Sequence, residues 1–338
     1  VYHNLKETGA GDLLPEEKIA SLANSRMKSL GRNTFLYKNI EQVLELLFRQ
    51  EKIKTVLLKG MALELSVYGN KGLRQMNDID ILVPRTQCME ARRILLNNGF
   101  QSIPLKSPLY NLILPYYGKH LPELIKGGVS VEIHHELFNG ADHSLTERMI
   151  TGSTEITFNK SSVLIPPVRE FFLYLVKHLD KHENNGESQL RLYTDLFCMV
   201  DKYEKELLDT ALFKEAEAAG LKKILAAKLF LLKRYWGIFI HPALETLINE
   251  KTPDNTCQLF RTFLAQPEGH PVLKSRAHNY RQTIKQIHGF HRKLIFIVGD
   301  IFPTLRFMQR RYNTRNKLIA LLYYPHRLGK LAYLMRML

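Results

Sequence analysis

Asp78 and Asp80 stand two apart in Asp78-Ile-Asp-Ile-Leu-Val83, whose alternation and β-branched residues predict a strand that Pro84 closes. Side chains alternate across a strand, so both carboxylates leave one face while Ile79 and Ile81 leave the other. Two carboxylates this close repel and raise each other's pKa unless a cation sits between them. Mg²⁺ suits that place, because it is a hard ion that takes oxygen ligands and shares them with phosphates. Further along, Val129-Ser-Val-Glu-Ile-His134 puts Glu132 inside an apolar strand. A charge there is costly unless it faces a metal or a partner, which makes Glu132 a candidate third carboxylate. His134 shares its face and could orient it; His135 faces the other way and reads as structural. Upstream, Lys59-Gly60 follows the strand-like Lys54-Thr-Val-Leu-Leu58, and a glycine at such a turn lets backbone N–H groups approach a phosphate. Arg74, four residues before the acidic pair, carries a guanidinium that suits phosphate oxygens.

The elements that must hold these groups can be read around them. Leu14 to Gln50 predicts helix, opened by Pro15-Glu16-Glu17 and given an apolar face by Val43, Leu44, Leu46 and Leu47. Met61 to Tyr68 predicts a helical turn or two, Gly69 to Gly72 a turn, and Thr86 to Asn98 a helix with Thr86 as N-cap and Gly99 at its end. Strands are expected around Tyr110 to Tyr117, around His120 to Ile125 and over Val129 to Phe138, with Gly127-Gly128 turning between the last two. After Pro166-Pro167 the pattern becomes helical over Val168–Leu179, Leu190–Tyr203, Leu212–Ala218 and Leu221–Trp236. The fold class that follows is α+β: a βαβ-then-β unit with N-terminal helices and a helical C-terminal domain. The expected boundaries are an N-terminal helical segment (1–50), a catalytic core (51–160), a helical domain (161–250) and a basic helical region (251–338).

On these residues the chain resembles the uncharacterised nucleotidyltransferase group of the DNA polymerase β-like superfamily. The likeness lies in Leu57-Leu-Lys-Gly60, in Arg74-Gln-Met-Asn-Asp-Ile-Asp-Ile-Leu-Val83 and in Val131-Glu-Ile-His134. It continues through His178, Leu190-Arg-Leu-Tyr-Thr-Asp-Leu196, Ile301-Phe-Pro-Thr-Leu-Arg306 and Arg310-Arg-Tyr312. The resemblance implies a small mixed β-sheet core, with Asp78, Asp80 and Glu132 as ligands of Mg²⁺ or Mn²⁺. It also implies Lys59 and Gly60 against the β and γ phosphates of a nucleoside triphosphate such as ATP. The activity implied is transfer of a nucleoside monophosphate to an acceptor hydroxyl, with pyrophosphate leaving. Two departures stand out: Lys59-Gly60 replaces the usual Gly-Gly or Gly-Ser, and Glu132 replaces the commoner Asp.

Other residues admit two readings. His178 and His182 sit at i, i+4, a spacing that zinc sites use, but no third ligand accompanies them. The resemblance makes His178 substrate-facing. Arg191 and Asp195 are also i, i+4 and would pair on a helix surface; the resemblance places them at the active site or a domain junction.

The whole chain has 338 residues and a net charge of +15, with 45% hydrophobic and 24% charged residues, the composition of an ordinary globular protein. Lys251 to Leu338 holds 16 lysines and arginines against 3 acids, so most of the excess charge belongs to that quarter. This region is expected to meet an anionic partner, nucleic acid or a membrane surface, or to be a helical cap with a solvated basic face. A catalytically weak binding protein that recognises such a partner is the alternative to the enzyme. Three scattered cysteines argue against a disulfide framework, and no apolar run reaches the ~18 residues a transmembrane helix needs. A cytoplasmic protein, or one peripheral to a membrane, is expected.

Overall fold

The structure is a computed structural model that describes residues 2–139, 143–158, 161–184, 190–265, 280, 283–285 and 287–336. Its strands are β1 (Val56–Leu57), β2 (Ile79–Leu82), β3 (Gln101–Ser102), β4 (Leu124–Lys126), β5 (Val129–His134), β6 (Thr154–Phe158) and β7 (Ser161–Ile165). They form one mixed sheet in the order β3-β4-β5-β2-β1-β7-β6. Helices surround it: α1 (Tyr2–Glu7), α2 (Glu16–Leu44), α3 (Lys59–Leu63), α4 (Cys88–Asn97), α5 (Ser144–Thr151), α6 (Val168–Asn184), α7 (Leu190–Lys202), α8 (Glu204–Leu207), α9 (Thr210–Ala218), α10 (Lys222–Trp236), α11 (Pro242–Lys251), α12 (Thr256–Leu264), α13 (Phe290–Ile301), α14 (Leu305–Arg311) and α15 (Lys317–Arg336). The class is α+β with a mixed sheet and a largely helical second half, as the sequence pattern predicts.

Contacts divide the chain into two compact units. The first holds β1, β2, β6, β7, α1 to α3 and α5 to α12; the second holds β3, β4, α4 and α13 to α15, and β5 contributes its first three residues to one and its last three to the other. In the first, Leu36, Ile40, Leu57, Leu58 and Met61 are fully buried. A separate aromatic cluster there stacks Tyr193 on Trp236 at 5.3 Å between ring centroids. In the second, Tyr110, Ile113, Ile287 and Phe296 pack into a core of their own.

β1 and β2 run antiparallel, with Leu57 opposite Ile81 and Val56 opposite Leu82, whereas a βαβ unit would make them parallel. The reason is the connection. Helical residues from Lys59 to Tyr68 and the loop after them return the chain to the end of the sheet it has just left, so β2 must run back along β1. The parallel neighbour of β1 is β7, in register at Val56 and Leu164.

Three local expectations need correction. Tyr110 to Tyr117 is not a strand but two 3₁₀ turns, Pro108–Leu112 and Leu114–Tyr116, each with proline near its start. Proline brings no N–H to a ladder and presets the φ of a turn, which overrides the β preference of the tyrosines and isoleucine. Thr86 does not cap α4; a 3₁₀ turn, Arg85–Gln87, precedes the helix, and no side chain caps it. Around His120 to Ile125 only Leu124 and Ile125 are in β4, while His120 makes a lone bridge to His134. The hairpin β6–β7, paired from Thr154 with Ile165 to Phe158 with Ser161, was not expected at all.

Candidate active site

The turn from β1 into α3 brings Lys59 to the end of the sheet where β2 starts. Lys59 has a positive φ of 46°, a strained backbone for a residue with a Cβ. Its ammonium lies 2.5 Å from Asp80 Oδ1. Asp80 is 3% exposed, and a carboxylate that deep is tolerable only beside a cation. The adjoining Leu58 N–H donates to the Asp80 carbonyl oxygen at 3.0 Å, locking the turn onto β2.

Asp78 lies one residue before β2 rather than within it, half-buried, and both carboxylates line one cavity of about 200 Å³. The same cavity is lined by Lys59, Gly60, Arg74, His178, His182 and Arg191. The acidic pair, the turn, the arginine and both later histidines are thus brought together, from β2, α3, α6, α7 and the loop between α3 and β2.

Gly60 has a steric reason as well as an electrostatic one. A Cβ there would overlap Arg74 Nη1 and come within 2.8 Å of Met76 Cγ. Arg74 in turn is buried and pairs with Asp195 of α7 through two parallel bonds of 2.9 Å, from Nε to Oδ1 and from Nη2 to Oδ2. Tyr68 also donates its hydroxyl to Asp195 Oδ1 at 2.8 Å. Burial opposes charge on Arg74, but the Asp195 carboxylate more than offsets it and raises its pKa. Asp195 is therefore bound to Arg74, and its charge also acts on Arg191. Arg191 Nη1 donates to the Gln75 carbonyl at 3.2 Å, holding the same loop from the other side. Burial, then the charge of Arg74, lower the pKa of Arg191; two guanidiniums at one cavity favour an anion.

Asn33 is a site residue that the sequence reading missed. Fully buried on α2, it donates from Nδ2 to the carbonyls of Lys71 and Arg74, at 2.5 and 2.7 Å, and accepts from Met76 N–H at 3.2 Å. An asparagine on the helix face that also carries Leu36, Tyr37 and Ile40 was the available signal, since buried amides are seldom without partners. Glu64, on the helical turn after α3, is 2% exposed and has its pKa raised by burial, which outweighs the Tyr37 hydroxyl and the charges of Lys71 and Arg74.

β5 lies beside β2 in the sheet. Its Val131 and Ile133 are buried, while Glu132 keeps 24% side-chain exposure, and His134 Nε2 approaches Glu132 Oε2 to 3.2 Å. The two side chains thus meet on one face of the strand. Glu132 and His134 belong to a group of side chains able to hold a metal ion. His135 is buried, and burial, followed by the charge of Arg85, pushes its pKa down to about 3, so it is neutral. The rings of His178 and His182 meet edge to face at 4.5 Å, and the metal-capable group among the described residues does not include them.

One cavity of the first unit thus brings Asp78 and Asp80 together with Lys59, Gly60, Arg74 and Arg191. Residues 1–237 match the family described as uncharacterised nucleotidyltransferase, and the chain belongs to that family. Comparison with curated proteins gave no match. Among solved structures, the chain is similar to ANT(2")-Ia in complex with adenylyl-2"-tobramycin, at 10% identity and a TM-score of 0.38, over 58% of this chain and 98% of that one. It is also similar to an antigenic nucleotidyltransferase-like protein from Paracoccidioides brasiliensis, at 14% identity and a TM-score of 0.36, over 69% of this chain and 97% of that one. Among the described residues no helix is long and apolar enough to cross a membrane.

Proposed function

We propose that the protein transfers a nucleoside monophosphate from a nucleoside triphosphate to an acceptor hydroxyl, in a reaction dependent on Mg²⁺ or Mn²⁺. The observation that carries this reading is the single cavity onto which Asp78, Asp80, Lys59, Gly60, Arg74 and Arg191 converge. At about 200 Å³ it is smaller than the roughly 300–1,000 Å³ of sites that enclose a drug-sized ligand. It accordingly takes the phosphate end and leaves the base and acceptor outside.

The donor set fits a divalent ion. Asp80 is deeply buried and already holds an ammonium against one oxygen, so the position calls for positive charge. Asp78, Asp80 and Glu132 would supply the oxygens that a hard ion requires, and an imidazole beside them is equally compatible with Mn²⁺. When bound, the ion neutralises charge on the entering and leaving oxygens. The chain's own residues do the rest. Lys59 and Arg191 hold the triphosphate, Arg74 braces the loop before the acidic pair, and His134 keeps Glu132 turned toward the attacking hydroxyl, whose proton Glu132 accepts. The hydroxyl oxygen bonds to the α-phosphorus as the bond to the bridging oxygen breaks, and pyrophosphate departs with that electron pair. His178 and His182, on the α6 wall, face the substrate.

The test is a thermal-shift screen of the four triphosphates with Mg²⁺, followed by an assay of pyrophosphate release. A triphosphate at a hundredfold its Kd should stabilise the fold by about 2.7 kcal/mol. Chelation should abolish that effect, and Asp78→Asn and Asp80→Asn should release no pyrophosphate. Variants that behave as wild type would instead leave a nucleotidyltransferase-like fold used for binding alone.

A further inference from the structure

The second compact unit carries a cavity of its own, of about 540 Å³. Its walls are aromatic: Tyr110, Tyr117, Tyr280 and Phe296 line it. Their rings already pack on one another, Tyr110 stacking on Phe296 at 5.6 Å and Tyr117 and Tyr280 tilted against Phe296 at 5.2 and 5.7 Å. Gly299 permits this arrangement, because a Cβ there would come within 2.5 Å of Tyr110 Cε1. The lining also carries Lys106, Asp300 and Thr283.

Among the described residues, two cations meet one carboxylate in that part. Asp300 is buried and is shared by two cations: the ammonium of Lys106, and Arg327, whose Nη2 approaches Oδ1 to 3.3 Å while Nε donates to the Asp300 carbonyl at 3.0 Å. One carboxylate therefore serves two positive groups. Burial first, then the charges of Arg327 and Arg311, push the pKa of Lys106 down to about 7. The Lys106 carbonyl accepts from Thr304 N–H at 2.8 Å, which fixes this backbone against the segment before α14. A concave apolar site with a few convergent polar groups and a perturbed amine is the usual form of a small-molecule site.

We propose that this cavity binds a small ligand made of a flat ring and an anionic group, the ring against the aromatic wall and the anion on Lys106. The ring recognition is stacking, and the anion joins Asp300 in serving the two cations. The site uses none of the residues assigned to nucleotidyl transfer, so it stands or falls separately from that reading.

Phenyl phosphate is the probe, titrated into the full-length protein by calorimetry, with inorganic phosphate and benzyl alcohol as the two half-ligands. Phenyl phosphate should bind at least tenfold more tightly than either. Lys106→Gln should lower its affinity at least tenfold. Ile103→Trp, an exposed position on the cavity lining where a bulkier side chain obstructs the mouth, should lower it at least fivefold without shifting Tm. Both variants should keep the wild-type thermal response to triphosphate and Mg²⁺. Binding no tighter than that of inorganic phosphate would overturn the proposal. So would unchanged affinity in Ile103→Trp, even if Lys106→Gln failed to fold.

Discussion

The acidic residues draw the eye, but the buried pair of Arg74 and Asp195 decides whether the cavity keeps its shape. Removing one partner of a buried, doubly bonded ion pair leaves the other charged and desolvated, at a cost of about 3–5 kcal/mol. Arg74→Ala should lose that much in urea unfolding. Arg74→Lys should recover little, because an ammonium cannot reproduce the planar fork that meets both oxygens of Asp195. A loss in Arg74→Ala below about 1 kcal/mol, the range of exposed pairs, would mean that the pair is solvated. What the sequence revealed at this scale followed from period two: Glu132 with His134 was legible because a strand puts i and i+2 on one side, and Asp78 reaches the cavity of Asp80 from just before β2. The bond from Asp195 to Arg74 was not legible, because helical spacing offers only Arg191 and Arg74 lies in a loop that no local rule connects to α7.

Among the elements, the turn between β1 and α3 carries the most constraint. It combines a positive-φ lysine, a glycine under a guanidinium and a hydrogen bond back to the start of β2. Gly60→Ala should destabilise the protein by about 1–3 kcal/mol, the range for overpacking, and should weaken the thermal response to triphosphate and Mg²⁺ as Arg74 is displaced. An alanine variant with both properties intact would show that Arg74 and Met76 yield freely. The glycine itself was visible in the sequence, but its reason was only half visible. A phosphate approach was expected; the packing of Arg74 and Met76 against it depends on a fold-back that the sequence read as a parallel crossover. Likewise β6 and β7 went unpredicted because Thr154-Glu-Ile-Thr-Phe158 exposes most of its residues, which weakens the apolar alternation by which strands are recognised.

At the scale of the whole molecule, stability against pH follows the groups whose folded and unfolded pKa values differ. Burial raises the pKa of Glu64, so the native state holds this proton longer than the unfolded chain does. Where the native state binds more protons, stability falls as pH rises. The contribution of Glu64 is thus most favourable below its ordinary value, near 4.5, and is progressively lost above it. Glu64→Gln should remove that slope and be at least as stable as wild type at pH 7, measured by urea unfolding between pH 4 and pH 8. A steeper fall with pH in the variant would reverse the sign assigned to this group. The α+β class and the helical second half were legible because they are sums of many weak periodic signals. The order of strands was not, since pairings such as β1 with β7 are set by packing between segments far apart in sequence.

Asp195, Arg74 and Gly60 form a chain of dependence that runs from α7 to the turn after β1. Each member fixes the space allowed to the next, so lineages that drift at one of these positions should do so only in company. A bulkier residue at 60 calls for a shorter one at 74, and a shorter residue at 74 leaves the acid at 195 without its doubly bonded guanidinium. Substitution histories of this protein should therefore show the three changing as a set, even though none of them is a neighbour of another along the chain.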